Sequence, residues 1–222
     1  MMFMKKAIIY FTNNILDEKI FNVVLKQLKK ASNGIDIVSV SHKPMDLGKN
    51  IVVDLPSCAE SIFKQIYIGL NNTDADVVYL AEHDVLYHPC HFETIPTRKR
   101  YYLYNTNVWQ VDNDGQSIYR RSRRTSQLIV HREILKDYLE QLFNVIDQRG
   151  YNPKMGVSPM THQINEIKNQ GLRQFKSDAP NIDIRHDNNF SNYVYEDRDI
   201  ISDEVPGWGK TLGRFNEFLD EI

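Results

Sequence analysis

The stretch that most constrains this chain is Asp74 to Phe92, D-A-D-V-V-Y-L-A-E-H-D-V-L-Y-H-P-C-H-F. Val77, Val78, Tyr79, Leu80 and Ala81 form a continuous apolar run, which reads as a strand buried on both faces. Glu82, His83 and Asp84 follow at its downstream end. In open α/β sheets that end of a strand opens into the crevice where ligands bind. Unpaired carboxylates beside a buried strand are costly, so they need a countercharge, and a divalent cation is an economical one.

The flanking sequence supplies the layers such a strand requires. Lys6 to Phe11 reads as a first buried strand, closed by a polar turn at Thr12-Asn13-Asn14. From Leu16 to Ala31, apolar residues at Ile20, Phe21, Val24, Leu25 and Leu28 recur with helical spacing, and Asn33-Gly34 gives a stop. Ile35 to Val40 is a second strand, so the chain opens as β-α-β with parallel pairing. Ser41 to Leu55 reads as a loop, and Ser57 to Asn71 as a helix that feeds the acidic strand. Beyond Phe92, Tyr101 to Trp109 is β-prone and aromatic. Val111 to Gln116 is a tight turn, and Ser117 to Arg121 completes a hairpin. A strand at Gln127 to Val130 precedes an amphipathic helix from Arg132 to Arg149. A short helix is expected over Pro159 to Gln170, a strand over Ile182 to His186, and a last helix over Leu212 to Leu219.

With 222 residues, 41% of them hydrophobic, the chain has material for one substantial core. The expected architecture is a single Rossmann-like α/β domain over 1–222. A mostly parallel central sheet is flanked by helices and carries a small antiparallel hairpin. A net charge of −2 gives no global pull toward nucleic acid or anionic membrane, despite local clusters at Arg98-Lys99-Arg100 and at Arg120, Arg121, Arg123 and Arg124. Two cysteines, Cys58 and Cys90, without C-x-x-C spacing argue against a disulfide scaffold and fit a reducing, cytoplasmic setting. The N-terminal apolar run is too short for a signal peptide or a membrane span.

The β-α-β opening, the helix through Gln65-Ile66-Tyr67-Ile68-Gly69-Leu70, the segment A-E-H-D-V-L-Y-H-P-C-H-F and the segment Y-N-T-N-V-W together resemble the GT-A nucleotide-sugar glycosyltransferases, particularly small family-2-like members. In that family an Asp-X-Asp-like motif ends a buried strand; here Glu82 stands at the first acid. The resemblance implies a metal-dependent transfer of a hexosyl or pentosyl group from a nucleoside-diphosphate sugar to a hydroxyl acceptor, with inversion favoured. The nucleotide-binding half would be about 1–92 and the acceptor-side half about 93–222. Asp84 would ligate Mn²⁺ or Mg²⁺, with His186 as a late ligand returning to the metal. Glu82 would touch the ribose or a metal-bound water, with His83 beside it.

The resemblance implies donor contacts at Phe11, Thr12 and Asn13, where the family holds the base after its first strand; His42, Lys43 and Asp46, and Lys64 and Gln65, are further candidates. Lys210, in the turn-rich V-P-G-W-G-K segment, is a candidate to reach a phosphate. Asp112 and Asp114 are the candidate general bases, although aspartates in a D-N-D-G turn are commonly turn formers. Trp109 is a candidate to stack on a sugar face. His83, His88 and His91 also invite a zinc reading, but they lie on a turn without a partner cluster. The acceptor is open between a glycan, a small molecule and a hydroxylated DNA base, the last suggested by the arginine cluster. A nucleotidyltransferase lacks its glycine-rich basic loop here, and a non-catalytic sugar-nucleotide-binding domain is the non-enzymatic alternative.

Overall fold

The first strand, β1 (Lys6–Thr12), runs through the middle of the molecule, and its alternating side chains explain why. Ala7, Ile9 and Phe11 enter one apolar cluster with Phe63, Ile66 and Leu70; Ile8 and Tyr10 enter another with Leu28 and Leu47. A strand buried on both faces needs a layer against each. The computed structural model describes residues 4–152, 155–157, 171–186 and 199–222, and these supply both layers. Helix α1 (Glu18–Ala31) is capped by Asp17, which accepts the backbone N–H groups of Lys19 and Ile20 at 2.9 and 3.2 Å. Helices α2 (Ala59–Asn71) and α3 (Arg132–Arg149) cover the opposite face. Gly69 lets α2 lie close on the sheet, because a Cβ there would stand 2.5 Å from Cγ2 of Ile9.

The remaining strands are β2 (Asp36–Ser41), β3 (Lys49–Val52), β4 (Val77–Glu82), β5 (Val85–Leu86), β6 (Tyr101–Asn105), β7 (Val108–Val111), β8 (Ser117–Tyr119) and β9 (Leu128–His131). They are followed by β10 (Gly171–Phe175), β11 (Asn181–Ile184), β12 (Ile200–Ser202), β13 (Glu204–Val205), β14 (Gly209–Lys210) and helix α4 (Phe215–Glu221). The main sheet has the order β10-β6-β9-β4-β1-β2-β3, parallel except where β9 runs against both β4 and β6. Its β3-β2-β1-β4 portion reverses strand order between β1 and β4, which opens a crevice at their C-terminal ends. A second sheet, β12-β8-β7-β11-β5, packs Trp109, Ile182 and Ile184 against Ile20 and Val24 of α1 and against α4.

The expected mixed α/β fold is present, with several local corrections. The loop after β2 contains β3, which pairs with β2 although its side chains are mostly half-exposed. The aromatic stretch from Tyr101 is two strands, β6 in the main sheet and β7 in the second. The hairpin β7–β8 is therefore part of a five-stranded sheet rather than an appendage. The expected helix over Pro159 to Gln170 lies outside the described residues.

A knot of buried amides joins the two sheets where the chain crosses between them. Asn105 donates through Nδ2 to Ser177 Oγ at 2.8 Å and lies 3.2 Å from His91 Nδ1. Its Oδ1 accepts the backbone N–H groups of Asn107 and Ser177. Asn107 donates to the Ser177 carbonyl at 2.8 Å, and Asn181 donates to Gln127 Oε1 at 2.7 Å. Asn105, Asn181 and Gln127 are fully buried, so these bonds stand in for solvation.

Candidate active site

A cavity of about 500 Å³ opens at the C-terminal edge of β1 and β4. Phe11, Thr12 and Asn13 bring the end of β1 to it, and His42 the turn after β2. The first turns of α2 add Ser61 and Gln65, and the second sheet adds Gln110 and Asp183. Asn14 holds the first two turns together: in a left-handed conformation (φ 57°), its Oδ1 accepts the backbone N–H groups of His42 and Lys43, both at 2.8 Å. Gln65 ties α2 to the same edge by donating to the carbonyls of Thr12 at 2.8 Å and Val40 at 3.2 Å.

At the mouth of β4, Glu82, His83 and Asp84 meet His186, which follows β11. His186 Nε2 lies 3.5 Å from Asp84 Oδ2, and the rings of His83 and His186 are 5.8 Å apart. Ligating atoms of His83, Asp84 and His186 all fall within 4.8 Å of one another, the grouping among the described residues that could hold a metal ion. The neighbouring carboxyls are driven in opposite directions. Burial pushes Glu82 well above the ordinary carboxylate range, reinforced by the charges of Asp84 and Asp183 and opposed by Arg124. Burial also acts to raise Asp84, but the hydrogen bond from His186 and the charges of His83 and His186 outweigh it and leave it below the usual value. The site therefore opposes charge on Glu82 and supports it on the neighbouring Asp84. Burial lowers His83, against the pull of Asp84.

Opposite the acidic edge, Asp183 of β11 is ion-paired with Arg124. Arg120, bound in a fork to Asp199 at 2.6 Å through both Nε and Nη2, also lines the wall. Asp183 escaped the sequence reading; its one signal was an acid between two isoleucines of a predicted strand. Gln110 in V-W-Q-V carried the same kind of signal, a polar residue inside an apolar run.

Other candidates lie elsewhere. Lys64 pairs with Glu60 at 2.6 Å, and Asp46 pairs with Lys29 at 3.0 Å. Lys43 and Lys210 are exposed and do not line the cavity. Asp112 accepts the backbone N–H groups of Asp114 and Gln116 at 3.0 and 2.8 Å, and neither aspartate reaches the cavity. Trp109 is buried against Tyr119 in the second sheet. His91 sits among Tyr79, Tyr87 and Phe92, and His88 is beside Cys90, so the three histidines of that stretch do not converge. Arg121 donates to Gln174, and Arg98 lies over the Tyr101 ring.

No protein-family model and no curated protein matches the sequence. Solved structures do match. Residues 1–349 of S. aureus TarS, in complex with UDP-GlcNAc, share 15% identity, cover 86% of this chain and superpose with a TM-score of 0.52. This chain spans 62% of the length of that one. A glycosyltransferase involved in the glycosylation of the major capsid of PBCV-1 shares 8% identity over 80% of this chain and 91% of its own, with a TM-score of 0.47. A nucleotidyl transferase from Methanothermobacter matches at 12% identity over 65% of this chain and 83% of its own, with a TM-score of 0.40. The chain has the fold of the GT-A nucleotide-sugar glycosyltransferases. No described helix is long and apolar enough to cross a membrane.

Proposed function

We propose that this chain is a single-domain, metal-dependent glycosyltransferase that moves a sugar from a nucleoside-diphosphate sugar to a hydroxyl acceptor, with inversion. The observation that carries this reading is the convergence of Glu82, His83 and Asp84 with His186 at the strand-order reversal between β1 and β4. Two imidazoles and a carboxylate are a donor set suited to a divalent transition ion such as Mn²⁺, and less suited to Mg²⁺, which prefers oxygen. His83, Asp84 and His186 would hold the ion, whose chemistry is to offset the negative charge that grows on a departing diphosphate. Phe11, Thr12, Asn13, His42 and Gln65 form the wall where the nucleoside would lie, and Glu82 would bond a ribose hydroxyl.

Asp183 is the carboxylate assigned to the acceptor, since it lines the cavity from the other sheet, whereas the Asp112 carboxylate is spent on a turn and neither Asp112 nor Asp114 lines the cavity. The acceptor hydroxyl gives its proton to Asp183 as its oxygen bonds to the anomeric carbon. The bond from that carbon to the phosphate oxygen breaks, and its electron pair stays on the diphosphate. A cytoplasmic setting is supported by two free thiols, Cys58 and Cys90.

Because the TarS structure holds UDP-GlcNAc, UDP and UDP-sugars come first in the test. Thermal melting is followed with each nucleoside diphosphate, with Mn²⁺ and with chelator. The reading expects a rise with one nucleotide that chelator abolishes. A flat response to every nucleotide would remove it.

A further inference from the structure

Gln110 is 4% exposed, sits between apolar neighbours in β7 and lines the cavity, yet its Oε1 is buried with no hydrogen-bond donor among the described residues. A buried acceptor without a donor is destabilising, so a side chain kept in that state and aimed into a cavity marks a place for a donor on a ligand. Its neighbour gives the ligand's shape. Gln110 and Asp183 are register partners on the parallel strands β7 and β11, so their side chains leave the sheet on the same face, and both line the cavity. Adjacent strands are about 4.8 Å apart. Two acceptors so spaced, each taking a hydrogen bond of about 2.8 Å, match two hydroxyls on neighbouring carbons. Asp183 keeps Arg124 as a donor, so a lone hydroxyl spent on Asp183 leaves Gln110 Oε1 buried without one, whereas adjacent hydroxyls reach both.

We infer that Gln110 and Asp183 form a vicinal-diol subsite, and that the acceptor is a polyol or sugar presenting adjacent hydroxyls, not an isolated alcohol such as a hydroxymethylated base or a serine side chain. The inference rests on the glycosyltransferase reading for its role, but the binding itself is independent of turnover. Sites built around hydroxyl groups discriminate strongly against analogues that lack them.

The test is saturation-transfer difference NMR on the full chain with erythritol and, separately, 1,4-butanediol, which has as many carbons but no adjacent hydroxyls. Wild-type protein should saturate erythritol and leave 1,4-butanediol at background. Gln110→Met should lose at least four-fifths of the erythritol signal. Equal signals from the two ligands in wild type would overturn the subsite without reference to any variant. So would an undiminished erythritol signal in folded Gln110→Met, or no erythritol signal in wild type. The nucleotide melting experiment separates the two ideas. A Mn²⁺-dependent nucleotide shift without erythritol contact removes the subsite and leaves the donor reading standing. Erythritol contact without a nucleotide shift does the reverse.

Discussion

His186 Nε2 and Asp84 Oδ2 are 3.5 Å apart, although the two residues follow strands of different sheets. Burial pushes the Asp84 carboxyl up, and the pairing with His186, aided by the charge of His83, holds it below the ordinary carboxylate range. If the pair serves a metal, its loss should appear in donor binding before it appears in folding. Asp84→Asn is expected to weaken Mn²⁺-dependent nucleotide binding at least tenfold, about 1.4 kcal/mol, with the far-ultraviolet spectrum retained. Calorimetric titration with and without Mn²⁺ measures it, and equal affinities in the two proteins would discard the assignment.

If Asp183 serves the acceptor as proposed, its removal should act on turnover. Asp183→Asn is expected to lower the transfer rate by about a hundredfold or more, the usual range for a general base, while nucleotide affinity stays within twofold. Its ion pair with Arg124 predicts a second cost, a lower melting temperature, because Arg124 is left without its countercharge. A variant with intact turnover would return the base to an open question.

Asp112 makes the opposite case. Its carboxylate ties the β7–β8 turn, and Gly115 in that turn (φ 82°) lies so close to Thr211 that a Cβ would meet the Thr211 carbonyl oxygen at 2.0 Å. Asp112→Ala should therefore cost about 1 kcal/mol or somewhat more in urea unfolding and leave nucleotide affinity unchanged. Loss of affinity without loss of stability would contradict this.

Gln65 is expected to act through the backbone it holds. Gln65→Leu strips two buried carbonyls, of Thr12 and Val40, of their shared donor, for a cost of about 2 kcal/mol. Denaturant midpoints at constant m-value test it; a neutral result would mean that the ends of β1 and β2 are held by other groups.

His91 sets a pH dependence. Burial pushes its imidazole down to about 3, below its unfolded value near 6.5. The unfolded chain therefore binds a proton that the folded chain refuses, so stability is full above about pH 6.5 and falls as pH drops toward 3. Between pH 7 and pH 5 this group alone should remove about 2 kcal/mol. His91→Phe should flatten that part of the profile, and an unchanged slope would show that His91 is not its source.

The centre of the main sheet, β1, β2, β4 and β9, was legible because its signal is local, whereas β10 was not read. Val77 to Ala81 and Ala7 to Phe11 are uninterrupted apolar runs, and α3 was read with its observed bounds because its stripe is long. β3 was not, since an edge strand with half-exposed side chains carries no periodic pattern. The acidic end of β4 and the late histidine could be named from the sequence, and the structure brings them together. Asp183 and Gln110 could not be, because their meaning lies in register between strands β7 and β11, which a linear reading does not contain. Asp112, named from the sequence, ties a turn, and Lys64 pairs with Glu60 on its own helix, so neither lines the cavity.

The amide knot around Asn105 has a geometric consequence. Apolar seams slide, because their contacts are non-directional, whereas hydrogen bonds between amides fix angle as well as distance. Asp84 follows a strand of the main sheet, whereas His186 follows, and Asp183 and Gln110 lie on, strands of the second, so Asn105, Asn107 and Ser177 act as the ruler that sets how far apart the two edges of the cavity stand. Drift in the outer strands can then alter what is held without altering how far apart it is held.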